Sequence, residues 1–151
     1  MVIMVDGEAC TCGRYGCWEA YASATALIRQ TRAAMEANPN SVMHELAKKE
    51  GKVSGRTAFD AMRDGDPTAR AVVEEYISYL ACGLVNIINI FQPDVLCIGG
   101  GISNEGENLL GPLRAIVERE RYTKHNDKQT VICKCTLGND AGIIGAANCY
   151  E

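Results

Sequence analysis

Residues 66–101, DPTARAVVEEYISYLACGLVNIINIFQPDVLCIGGG, decide the fold class. Asp66 offers an N-cap, and Pro67 suits the first helical position, where no backbone donor is needed. The pattern then stays helical to about Phe91, where Gln92-Pro93-Asp94 breaks it. The first half is amphipathic through Val72, Val73, Tyr76, Ile77 and Leu80. The second half, CGLVNIINI, is apolar on nearly all sides and is expected to lie between layers. Val95-Leu96-Cys97-Ile98 is a continuous apolar run, as in a central strand covered on both faces, and Gly99-Gly100-Gly101 ends it.

The rest of the chain extends that pattern in both directions. Downstream, a helix is expected over about 105–121, a strand over about 130–136, and a last helix from Asn139-Asp140 to about Cys149. The order α-β-α-β-α indicates an α/β layered fold. Upstream, residues 1–5 suit a strand closing into the Asp6-Gly7 turn, and one helix is expected from Glu19 to about Ala37. Two short helices, about 42–49 and 57–63, read as surface appendages. With 151 residues the chain has the length of one domain.

Charge and composition exclude several function classes. Fifteen Lys and Arg against nineteen Asp and Glu leave no excess of cations for a phosphate backbone, so nucleic acid is not expected as a partner. The longest apolar stretch, 76–91, is interrupted by Ser78, Gly83, Asn86 and Asn89, and no membrane span is expected. The first residues, MVIMVDGE, lack the basic and long apolar regions of a secretory signal, which predicts a cytoplasmic, reducing setting. In that setting a cysteine cluster points to metal more than to bridges.

Such a cluster is present. Cys10-Thr11-Cys12-Gly13-Arg14-Tyr15-Gly16-Cys17 puts three thiols within eight residues, with two glycines to fold the backbone back. Zn²⁺ favours tetrahedral thiolate and imidazole ligands, four in a closed structural site. His44, His125 or a remote cysteine are the candidates for the fourth. The two histidines otherwise read as solvated surface groups. Cys82, Cys97, Cys133, Cys135 and Cys149 read as small core hydrophobes. Gly99-Gly100-Gly101, between a strand and a helix, would let a ligand approach the backbone; it is no dinucleotide fingerprint, because Asn104 stands where a third glycine is required.

Cys10-x-Cys12-Gly13-x-x-Gly16-Cys17-x-Glu19 resembles, at all six specified positions, the C-x-C-G-x-x-G-C-x-E signature of the ROK family of sugar kinases and repressors. Gly65-Asp66-Pro67, Gln92-Pro93, Ile98-Gly99-Gly100-Gly101-Ile102 and Asp140-Ala141-Gly142-Ile143-Ile144-Gly145-Ala146-Ala147 are similar to the same family in the right order. The resemblance, closest to bacterial ATP-dependent glucokinases, implies the second lobe of an actin-like, ribonuclease-H-like two-lobed sugar kinase. Residues 8–19 would form the zinc loop, 20–65 a helical insert and 66–151 the α/β core.

The resemblance also implies roles. Cys10, Cys12 and Cys17 would hold a structural zinc, and Glu19 would orient a hexose, the metal fixing the loop that ends at it. Gly99, Gly100 and Gly101 would line the cleft for ATP, which comes with Mg²⁺, and Asp140-Ala141-Gly142 would line the same cleft. The general base, the phosphate loops and a histidine that is the family's fourth zinc ligand belong to a first lobe expected to lie before Met1. The fragment is therefore expected to be inactive alone and to associate as a dimer or higher. A sugar-responsive repressor of the same family and a free-standing zinc-binding interaction module are the alternatives.

Overall fold

The computed structural model describes residues 1–148. Its elements are α1 (Glu19–Ala22), α2 (Ala24–Ala37), α3 (Met43–Glu50), α4 (Thr57–Arg63), α5 (Pro67–Phe91), β1 (Val95–Ile98), a 3₁₀ turn (Gly101–Glu105), α6 (Glu107–Glu120), β2 (Val131–Lys134), a second 3₁₀ turn (Gly138–Asp140) and α7 (Ala141–Ala147). The expectation for Cys149 falls outside the described residues.

α5 is the axis. Asp66 caps it as expected: one carboxylate oxygen accepts from Thr68 N at 2.7 Å and Ala69 N at 3.1 Å. The other oxygen accepts from Ser41 Oγ at 2.6 Å and Val42 N at 2.7 Å, so one buried carboxylate starts α5 and anchors the entry to α3. Burial alone would raise the Asp66 pKa, but the bonds from Ser41, Ala69, Val42 and Thr68 outweigh it and hold the carboxyl below its ordinary value. Along its length α5 buries Val73, Tyr76, Ile77, Ala81 and Leu84 among α1, α2, α4 and α6. By length and composition it would be able to cross a membrane, yet these contacts make it a core helix.

β1 and β2 pair in parallel, Val95 with Val131 through Ile98 with Lys134. They are joined through α6, which packs on both α5 and β2. Leu96, Ile98 and Ile132 point toward this helical layer.

Several expectations need correction. Helix 19–37 is two helices, broken at Ser23, whose extended backbone lets its hydroxyl cap α2 by accepting from Ala26 N at 3.1 Å. Residues 1–5 form no strand: Val2 makes a single antiparallel bridge to Cys17. The short helices are not surface appendages, because Met43, Ala58, Phe59 and Ala61 have no solvent exposure; α3 and α4 close the core around the start of α5. Among the described residues the β1–β2 pair is covered on one face, leaving Val95 55% and Val131 58% exposed. The end of α5 also emerges into solvent at Ile90 and Phe91. In both places an apolar run predicts burial on two sides, which one helical layer does not supply.

Candidate functional site

The thiol loop is built by backbone reversal. Ala9 and Tyr15 form an antiparallel bridge; Cys10 N donates to Arg14 O at 2.8 Å, and Gly16 N to Glu8 O at 2.8 Å. Gly13 and Gly16 have φ of 83° and 70°, a region that disfavours side chains. At Gly16 the restriction is absolute, since a Cβ there would stand 1.6 Å from Met4 O. This folding brings the Sγ atoms of Cys10, Cys12 and Cys17 within 4.8 Å of one another.

The loop is fastened to the core by its aromatic residues. Trp18 Nε1 donates to Tyr79 O at 2.9 Å, and its ring lies against Gly83, where a Cβ would meet Cε2 at 2.0 Å. Glu8 N donates to Tyr21 Oη at 2.7 Å, and the Tyr21 and Tyr79 rings are 4.8 Å apart. Tyr15, by contrast, is 64% exposed and packs little.

The three thiols fit a divalent metal. Cys12 and Cys17 Sγ are 3.6 Å apart. The contact with Cys12, then burial, push the Cys17 thiol up to about 11, while hydrogen bonds from Arg14 backbone, Cys10 and Cys17 pull Cys12 down. Crowded sulfurs thus share protons instead of ionising together, and a cation at their centre would replace those protons. Among the described residues neither suggested histidine joins them. His44 Nε2 is engaged with Met35 O at 3.0 Å, so it is not the free surface group expected, and His125 is exposed elsewhere.

Glu19 is the first residue of α1, immediately beyond this loop, and is exposed. It lines a cleft of about 250 Å³ with Ala9, Cys10, Thr11, Ser23 and Arg29. Gly99, Gly100 and Gly101 are also exposed, 80 residues further along, with Gly100 at φ 83°. Gly101 lines a second hollow of about 560 Å³ with Glu50, Lys52, Ser54, Arg56, Ile102 and Asn104. Lys52 and Arg56 were missed in the sequence. No local spacing ties them to a glycine turn some 45 residues away; the segment that holds them packs there through Gly55 against Ile102. The two clefts adjoin across the Ser23 break: Ser23, Thr25 and Ala26 line the first, Ala24 the second. Asp140 and Gly142 line neither hollow.

The remaining cysteines correct the core reading. Cys82 is exposed on α5, and Cys97 is exposed on β1. Cys133 and Cys135 are half-buried, and Cys133 Sγ lies 3.3 Å from Cys97 Sγ.

Comparison with known proteins bears on this arrangement. Residues 1–151 match the ROK family. A glucokinase of Thermotoga maritima is 38% identical over 98% of this chain and 46% of its own length. A xylose repressor of Bacillus spizizenii is 28% identical over 98% of this chain and 34% of its own. The crystal structure of a ROK family glucokinase from Streptomyces griseus in complex with glucose and AMPPNP superposes with a TM-score of 0.85 at 31% identity, covering 99% of this chain and 49% of that one. The chain thus spans about half the length of the kinases it matches. The mixed helix and sheet architecture is that of these actin-like sugar kinases.

Proposed function

The chain belongs to the ROK family, and from that premise we propose that it is the second lobe of a glucokinase, which transfers the ATP γ-phosphoryl group to the 6-hydroxyl of glucose. The observation that carries the proposal is the exposed Glu19 carboxylate, set at the lip of a cleft directly after the thiol loop. A carboxylate accepts hydrogen bonds from neighbouring sugar hydroxyls, and a fixed loop keeps it in place for an in-line transfer. Cys10, Cys12 and Cys17 hold a structural zinc in this reading; the metal supplies rigidity and takes no part in the transfer.

Gly99, Gly100 and Gly101 form the floor for the nucleotide in this reading, and the hollow that Gly101 lines carries two cations, Lys52 and Arg56, against one acid, Glu50. ATP enters with Mg²⁺. Phosphoryl transfer is chiefly positioning and electrostatics, and these residues supply the positioning half. The general base belongs to the other lobe, so the 151 residues alone are proposed to be inactive. We also propose a cytoplasmic protein that self-associates, supported by the exposed Val2, Met4, Val5 and Ile143. Light scattering at tens of micromolar tests that point, a monomer counting against it.

The decisive test is Glu19→Ala in a chain that carries both lobes. Loss of hydrogen bonds to a charged group costs about 1.5–3 kcal/mol. The KM for glucose should therefore rise by about one to two orders of magnitude, with the KM for ATP little changed. An unchanged glucose KM rejects the assignment. The 28% identity to a xylose repressor favours a second reading, a sugar-responsive regulator. Sugar binding without ATP-dependent phosphorylation in the two-lobed protein would select it.

A further inference from the structure

We propose that Cys97 and Cys133 form an oxidisable dithiol, a modification site on the sheet face that the described residues leave open, separate from the three-thiol loop. The two residues are register partners on neighbouring parallel strands. Their Sγ atoms stand 3.3 Å apart in the reduced form. Adjacent strands lie about 4.8 Å apart, within the Cα separation of about 4.4–6.8 Å that a disulfide spans, so small side-chain rotations suffice and the backbone need not move. Both cysteines lie on the face that carries exposed Val95 and Val131, where an oxidant has access.

A third thiol sharpens the assignment. Cys135 continues the ladder, its N donating to Ile98 O at 2.9 Å, and its Sγ lies where a side chain on Gly99 would touch it at 3.3 Å. It therefore sits opposite a residue with no side chain and has no register partner to react with. Cys97 is the exposed member of the pair and acts as the nucleophile; the contact with Cys97, then burial, raise the Cys133 thiol and keep it protonated as the donor.

The oxidant class is a peroxide. The Cys97 thiolate attacks one peroxide oxygen, the O–O bond breaks, and hydroxide leaves, giving a sulfenic acid. Cys133 sulfur then displaces that hydroxyl; the S–S bond forms and water departs with the thiol proton. Two thiols and one hydrogen peroxide give one disulfide and two waters, sulfur being oxidised and peroxide oxygen reduced. The inference is independent of the kinase reading, because it concerns only β1 and β2.

The experiment treats the purified chain with one equivalent of hydrogen peroxide, blocks free thiols, and maps tryptic peptides without reduction. Trypsin separates Cys133, in residues 129–134, from Cys135, in the peptide that begins at 135. The expected product is residues 71–114 joined to 129–134, lighter by about 2 Da than the two reduced peptides together, and released by dithiothreitol. Fragmentation must place the bond at Cys97, since Cys82 shares the first peptide. Cys133→Ser should abolish the cross-link and leave Cys97 to accumulate as blocked thiol or singly oxidised sulfur. Joining through Cys82, Cys135 or the loop thiols, or separate oxidation of Cys97 and Cys133 in the wild-type chain, overturns the proposal; the wild-type map decides even if the variant does not fold.

Discussion

Gly83→Ala sets two known effects against each other, and the structure determines which prevails. Inside a helix, alanine is favoured over glycine by about 1 kcal/mol, so on propensity alone the change should stabilise. The new Cβ, however, would stand 2.0 Å from Trp18 Cε2 and 2.4 Å from Nε1. Ordinary carbon contacts are about 3.5–4.0 Å, so the indole must retreat by about 1.5 Å. Overpacking of that kind costs about 1–3 kcal/mol, and losing the 2.9 Å bond from Nε1 to Tyr79 O adds about 1. After the propensity gain, the net is a loss of about 1–3 kcal/mol, or roughly 2–10 °C in Tm for a chain of this size. Urea unfolding followed by circular dichroism measures the loss. The emission of Trp18, which is the chain's single tryptophan, should shift to the red as the ring moves toward water. In a Trp18→Leu background the same substitution should become neutral or stabilising, since the clash is gone. A Gly83→Ala protein that is more stable than wild type, with unchanged Trp18 emission, would refute the reasoning.

Asp66→Ala removes a helix cap and strands Ser41 Oγ and Val42 N, so a loss of about 2–4 kcal/mol is expected in urea unfolding. Because the folded Asp66 pKa lies below its unfolded value of about 4, its contribution is full above pH 4 and fades as pH falls through the folded value; the gap between wild type and variant should shrink in acid, and a constant gap counts against the assignment. Cys17→Ser should reduce bound zinc, measured by elemental analysis, by at least an order of magnitude, and protein purified without chelator that never contains zinc would dismiss the site. Gly16→Ala should disrupt the same loop through the clash with Met4 O and the positive φ, lowering zinc content while the far-ultraviolet signal of the helices stays near wild type.

The helical and strand order was legible because its signals are local. Asp66-Pro67 and Gln92-Pro93 bracket α5 by cap chemistry and chain breaking, and the structure keeps both ends. The three-thiol loop was legible for the same reason: its thiols lie within eight residues, and Gly16 marks a backbone reversal. What failed is non-local. The Ser23 break was hidden because serine is tolerated within helices, and only its capping bond to Ala26 N separates α1 from α2. Phe59 and Met43 belong to the core because α4 packs on α5 and α3 on α4, which no periodicity in seven or eight residues records. Cys97 and Cys133 gave no sign of meeting, since the parallel register that pairs them joins residues 36 positions apart.

The break at Ser23 gives the two hollows a common wall. Consecutive residues face opposite compartments there, Ser23 and Thr25 on the Glu19 side and Ala24 on the Gly101 side. Ala24 is exposed and faces the Gly101 hollow, so a larger side chain there would project into that hollow and leave the Glu19 side to Ser23 and Thr25. Neighbouring positions of one turn thus shape the two hollows separately, Ala24 the one beside Gly101 and Ser23 with Thr25 the one beside Glu19.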